Sequence, residues 1–305
     1  MRSGLKNVLL LLGALAAGFL LQFVAAFAVM IPAVVVKQMQ IISMGLRGTP
    51  QETEMLNQVV TDVMGPAVLV THVFLFLSFA LWYGFGCCRK RNAVTTFKHT
   101  FRAKNILIIA VLSLGCCYLT NFFMPIAGMI IPENIMQSYL ELMEAAGFGE
   151  SILPTIAAVL IAPFGEELIF RGVIYHYACN LVGTMPDRRK AFYVANTIQA
   201  LAFGIFHGNL IQGTYAFLLG LALGYLRERF GSIWASILAH MLINGCSTFL
   251  WEPIAMRLPE SIGVFSIGVV ICTAIVLVGF KLGGPALEKE EKIEGGKCFG
   301  TDYSR

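Results

Sequence analysis

Glu166 and Glu167 stand side by side in a stretch that is otherwise almost wholly apolar, and Arg171 follows four residues after the second acid. A charged side chain near the centre of a bilayer costs roughly 2.5–3.5 kcal/mol on insertion scales. Two adjacent carboxylates in such a run therefore need partners. On a helix, Glu167 and Arg171 are i and i+4 with the acid on the N-terminal side, the better orientation for an ion pair. Glu166 points about 100° away and has no partner close in sequence. It is the better candidate for chemistry, with Glu167 as its orienting neighbour. A plain helix-packing network would also use these charges, but packing does not require the second, unpaired carboxylate.

Two histidines lie in later apolar runs. His207 closes Phe203-Gly204-Ile205-Phe206-His207, and His240 opens His240-Met241-Leu242-Ile243-Asn244. The i, i+4 spacing of His240 and Asn244 puts an imidazole and a carboxamide on one helix face. Taken singly, each histidine reads as a hydrogen-bonded core residue and Asn244 as an interhelical hydrogen bond. His72 also lies in an apolar run but has no motif around it, His176 falls near a helix end, and His99 sits in a basic loop. Asp occurs only at Asp62, Asp187 and Asp302, in expected loops or the tail. This excludes an intramembrane protease built on two aspartates. No HExxH zinc motif is present, and no serine has a nucleophile setting with a plausible base.

The elements that must carry these residues are membrane spans. Of 305 residues, 57% are hydrophobic and only 13% charged, against roughly 25% charged in a soluble domain. Apolar runs of about 18 residues or more count as spans. Eight are found, at 7–36, 66–86, 104–131, 151–181, 190–207, 209–227, 232–250 and 261–281. The expectation is an all-α polytopic membrane protein with about eight transmembrane helices. The start of the chain resembles a signal peptide, with Ala26-Phe27-Ala28 as a possible cleavage site. The first apolar run is too long for that, and an uncleaved span is expected. With the N-terminus placed in the cytoplasm, 18 of the 22 Lys and Arg fall on the inner side and 3 on the outer. Both termini are therefore expected inside.

Thr49-Pro50-Gln51-Glu52 offers a helix start in the first outer loop. Residues 133–146 suit a short interfacial helix. Residues 283–305 are charged and expected to be disordered. The 8 cysteines show no CxxC spacing and read as small hydrophobes.

The ordered set Glu166-Glu167-x-x-x-Arg171, Phe203-x-x-x-His207 and His240-x-x-x-Asn244 resembles the three-motif signature of the CPBP family, the CaaX-protease and bacteriocin-processing (Abi-type) intramembrane proteases. Gln212, Ala216-Phe217, Gly220 and Gly224 are also similar to that family. The resemblance covers roughly residues 150–250. It divides the chain into N-terminal helices and loops (1–149), a protease core (150–250), a last span (251–282) and a tail (283–305). It implies peptide-bond hydrolysis within the membrane. Glu166 would activate a water with His207 beside it, and His240 and Asn244 would stabilise the oxyanion. Glu167, Arg171 and Phe203 would support them. A divalent metal such as zinc, held by Glu166, His207 and His240, is the rival arrangement. The sequence leaves both open, since two His and a Glu suit either.

The implied partners are the lipid bilayer and a membrane peptide or lipidated peptide, with no nucleic acid. The location is an integral membrane, the plasma membrane in a bacterium. Two other functions fit the same residues: a catalytically silent scaffold or immunity protein of the same fold, and a proton-coupled transporter. No convincing pair of inverted repeats supports the transporter. Along the spans, Glu166 lies about 22 Å from the outer end of its helix at 1.5 Å per residue, whereas His207 lies near the outer end of the next. Pro154 and Pro163 offer places for a kink that would reconcile the two depths.

Overall fold

The computed structural model describes residues 2–87, 97–98, 100–145 and 152–285. The described residues contain helices and no strand. The basic stretch 88–96, His99 and the tail from 286 onward lie outside them, so the expectation of a disordered tail is not addressed. In chain order the helices are α1 (Arg2–Ser43), α2 (Pro50–Trp82, continued by a π turn Tyr83–Cys87), α3 (Ala103–Gly128) and α4 (Glu133–Ala145). Then follow α5 (Ile152–Val182), α6 (Arg188–Phe206), α7 (Leu210–Phe230), α8 (Ile233–Ala255) and α9 (Ile262–Gly283). The protein is an all-α, polytopic integral membrane protein.

Six helices, α1, α2, α3, α5, α8 and α9, are long and apolar enough to cross a bilayer. The other two runs expected to span form α6 and α7. These carry Asn196 and Gln199, and Arg227, Glu228 and Arg229, and they do not reach the same apolarity. The helix start at Thr49-Pro50 is present, with Thr49 extended at the N-cap and proline in the first turn. The helix then continues through Pro66 to Trp82, so the expected loop before residue 66 is part of α2. Residues 133–145 form the amphipathic helix α4.

α5 is the hub. In its most apolar window 61% of residues are buried inside the protein, against 6% for α1. Small residues let α2 lie along it. A Cβ on Gly65 would stand 3.0 Å from Pro154, one on Gly165 3.3 Å from the Phe76 nitrogen, and one on Gly172 2.9 Å from the Tyr83 ring. The contacts advance together along both chains, so α2 and α5 run in the same direction. Close backbone approach through small residues is the usual means of packing where lipid removes the hydrophobic drive.

α6 and α7 form a tight hairpin by the same means. A Cβ on Gly204 would lie 2.6 Å from the Gly213 carbonyl oxygen, and one on Gly224 1.9 Å from Asn196 Oδ1. Asn196 donates to the Leu221 carbonyl at 3.0 Å and Gln199 to that of Gly220 at 2.9 Å. Side-chain caps fix the turns around this hairpin. Asp187 accepts from the Arg189 and Lys190 N–H groups, Asn209 from Gln212 and Ser232 from Trp234. Gly231, at φ 60°, ends α7 in the left-handed conformation that glycine adopts without a Cβ clash.

Candidate active site

The acidic pair lies on a stretch of α5 with widened turns on both sides. Ala157–Ile161 and Leu168–Ile174 are π-helical, and Ala162–Glu167 between them is α-helical. Pro163 supplies a cause for the first. It has no N–H, and its ring would clash with the carbonyl four residues back. In the widened turn the Ala162 N–H reaches Ala157 O. The next carbonyl, that of Ala158, would take its bond from residue 163, which has no proton to give. Asn244 supplies it, donating from Nδ2 to Ala158 O at 3.0 Å. Asn244 thus ties α8 to the break in α5. An amide NH2 has two donors, so one N–H is left over.

Glu167 and Arg171 pair at 2.8 Å, with both side chains fully buried. The same carboxylate oxygen, Oε1, accepts from His240 Nδ1 at 2.8 Å. A carboxylate paired with a guanidinium can only accept, so Nδ1 carries the proton. That bond aims the other ring nitrogen, Nε2, at Glu166 Oε2, 3.7 Å away. Glu166 and His240 are buried but not sealed, at 9% and 6% exposure, whereas Glu167 and Arg171 are at 0%.

Phe203 joins the second motif to the first and third. Its ring lies under the Arg171 guanidinium at 4.3 Å, a cation–π contact. The rings of His240 and His207 meet it edge-on at 5.7 and 4.7 Å. His207 Nδ1 donates to the Phe203 carbonyl at 2.8 Å, because a carbonyl cannot donate. Its Nε2 is thereby left as an acceptor.

The depth mismatch disappears because the 31-residue α5 runs on past the end of the 19-residue α6. Counted back from Val182, Glu166 is about 24 Å along α5, and counted forward from Arg188, His207 is about 28 Å along α6. Phe170 meets Phe203 at 4.9 Å and Phe206 at 5.3 Å, which fixes that register. Phe19 of α1 packs on Phe206 at 5.0 Å from the other side. The short turn His207-Gly208-Asn209 then sends the chain back into α7, with Gly208 at φ 71°.

Among the described residues, no group of three or more His, Cys, Asp or Glu could hold a metal ion. Glu166, His207 and His240 do not make such a set here. Both Nδ1 atoms are committed, one to Phe203 and one to Glu167, which leaves Nε2 of each ring to carry any chemistry.

In the sequence, Arg227 counts with the inner-side basic residues at the end of its run, with Glu228 next to it. The structure buries both. Arg227 is 2% and Glu228 0% exposed, in the last turn of α7, paired at 2.8 Å. Tyr175 of α5 donates to Glu228 at 3.2 Å, and the Arg227 guanidinium lies 4.7 Å from the Tyr175 ring centroid. Only the packing of α7 against α5 reveals this, since Arg227 and Glu228 look like any charged helix end.

His72 was also passed over. It lies on α2 where that helix crosses Gly165, close enough to Glu166, His207 and His240 to feel their charges. A histidine in an apolar run was the one sequence signal available for it.

With this geometry in place, comparison with known proteins is informative. The model of the Rce1-like family, type II CAAX prenyl endopeptidases, matches residues 148–246. This match supports the resemblance of the core segment to the CPBP family. The protein named "Putative membrane peptidase YdiL" of Bacillus subtilis (strain 168) is similar, at 29% identity over 92 residues. That match covers 30% of this chain and 34% of the relative's length. No solved structure matches. The matched segment holds α6, α7, all but the last turns of α8 and the whole acidic stretch of α5. Helices α1, α2, α3 and α9 lie outside it. The family model and the similar protein are both described as peptidases.

Proposed function

We propose that the protein is an intramembrane endopeptidase that hydrolyses a peptide bond by a glutamate-activated water. The observation that carries this reading is the approach of His240 Nε2 to Glu166 Oε2 at 3.7 Å, with the other ring nitrogen locked by Glu167. Catalytic hydrogen bonds are often long before substrate binds and tighten in the complex.

Water between Glu166 and the scissile carbonyl gives its proton to Glu166 as its oxygen attacks the carbonyl carbon. The new oxyanion is met by the second N–H of Asn244 and by the Nε2–H of a doubly protonated His240, whose Nδ1–H stays on Glu167. In a water-poor site such preorganised donors are worth far more than in bulk solvent. Collapse of the tetrahedral intermediate breaks the C–N bond, and Glu166 returns the proton to the leaving amine. His207, with Nε2 as acceptor, orients the water. Glu167, Arg171 and Phe203 hold the imidazole of His240 in place. The substrate class that fits is a membrane-associated peptide, with prenylated CaaX-type peptides the first choice from the family match. Both termini face the cytoplasm in this reading, in keeping with the Lys/Arg asymmetry.

The test uses purified full-length protein and two synthetic peptide sets, transmembrane segments and farnesylated CaaX-type peptides. Wild type is expected to cleave members of at least one set. Glu166→Gln should abolish cleavage while leaving the melting temperature unchanged, because Gln keeps the shape and loses the base. A strong chelator should leave the wild-type rate unaltered. Cleavage by Glu166→Gln at the wild-type rate would refute the mechanism. Activity lost on chelation and restored by zinc would make His207 and His240 ligands instead.

A further inference from the structure

His72 carries an inference that rests on the proposed hydrolysis. Its ring nitrogen Nδ1 is buried and has no hydrogen-bond partner among the described residues. The two other imidazoles of the site both have theirs, at Phe203 O and Glu167 Oε1. Native structures pair nearly all their buried polar groups, and an unmade bond carries the full desolvation penalty. A phenylalanine would fill this place in an apolar helix without that penalty. The unpaired nitrogen is explained if its partner is not part of the polypeptide.

The position agrees. A Cβ on Gly165 would stand 3.5 Å from the His72 carbonyl oxygen, so α2 delivers His72 to the turn of α5 that presents Glu166. Glu166, His240 and His207 are close enough to act on the charge of His72. The approach depends on Gly165, because a side chain there would push α2 away.

We propose that His72 is a further catalytic residue, supplied by α2 from outside the family-matched segment, which holds the attacking water together with Glu166. The imidazole hydrogen-bonds the water oxygen and keeps it on the line to the scissile carbon. Glu166 takes the proton, so the proton balance of hydrolysis is unaltered. The family-matched segment would then hold an incomplete site, completed by a helix of the N-terminal half.

The experiment compares His72→Phe and His72→Asn with wild type and Glu166→Gln on whichever synthetic peptide wild type cleaves. It reads kcat, KM and melting temperature. Phe keeps the ring and removes both nitrogens. Asn places an amide nitrogen where Nδ1 stands. His72→Phe should lower kcat about tenfold or more with KM little changed and should melt no lower than wild type, since it removes an unpaired buried nitrogen. His72→Asn should recover much of the lost kcat, which a purely structural role would not produce. Wild-type kcat in His72→Phe, beside an inactive Glu166→Gln, would overturn this inference and leave the proposed function standing. A lowered melting temperature with unchanged kcat per folded molecule would also overturn it. A wild type that cleaves no peptide would sink both readings.

Discussion

Among the described residues, two buried arginine–glutamate pairs have the same length. Arg171–Glu167 and Arg227–Glu228 are each 2.8 Å long, and each guanidinium lies over an aromatic ring, Phe203 in one case and Tyr175 in the other. They differ in what is left unsatisfied. The buried polar atoms without partners among the described residues include Glu167 Oε2 and Arg171 Nε and Nη2, but none from Arg227 or Glu228. The second pair is closed, with Tyr175 donating to Glu228. The first pair is open, and it spends its one shared oxygen on His240. A buried ion pair is by itself weak evidence of anything, since desolvation can cancel its attraction. The informative feature is the imidazole that the first pair orients towards a third, separate carboxylate.

The hardest test of that contrast is Arg171→Ala. It leaves Glu167 as an uncompensated buried charge, a loss of about 3–5 kcal/mol when one partner is removed. It also removes the group that holds Glu167, the anchor of His240. Both the melting temperature and peptide cleavage are expected to fall. A variant fully stable but inactive would move Arg171 from support of His240 to contact with substrate.

A milder change should dissociate the two regions. Glu228→Gln keeps the shape and an acceptor for Tyr175 but removes the charge beside Arg227. A loss of about 1–3 kcal/mol is expected, with cleavage per folded molecule at the wild-type value. If kcat fell as far as with Arg171→Ala, the closed pair would be coupled to the reaction and the contrast would fail.

Asn244→Ala should show the smallest stability change, about 1 kcal/mol for one lost hydrogen bond to the Ala158 carbonyl. Its kinetic effect should be much larger, kcat falling about 10²–10³-fold, as when an oxyanion donor is removed. Unaltered kcat together with a lower melting temperature would leave Asn244 as the strap across the Pro163 break and nothing more.

Much of this was legible because helix geometry is local. The spacing of Glu167 and Arg171 implies an ion pair, since residues four apart on a helix are neighbours in any fold, and the structure contains that pair at 2.8 Å. The apolar runs likewise imply helices, and the start of α2 at Pro50 follows from proline's tolerance of a first turn. The spacing of His240 and Asn244 puts both on one face, but their partners on α5 could not be read from it. Glu167 lies 73 residues from His240, and Ala158 lies 86 from Asn244.

The sequence by itself determined the class of protein and the order of its motifs, because hydropathy and i, i+4 spacing act within a single helix. Only the tertiary structure decided which depths coincide. α6 ends level with Glu166, not at the far end of α5, because Phe203 and Phe206 seat on Phe170. It also decided that Arg227 and Glu228 are buried, and that α2 brings His72 alongside Gly165. A side chain's solvent and partners are set by the elements packed around it, and those come from tens of residues away along the chain.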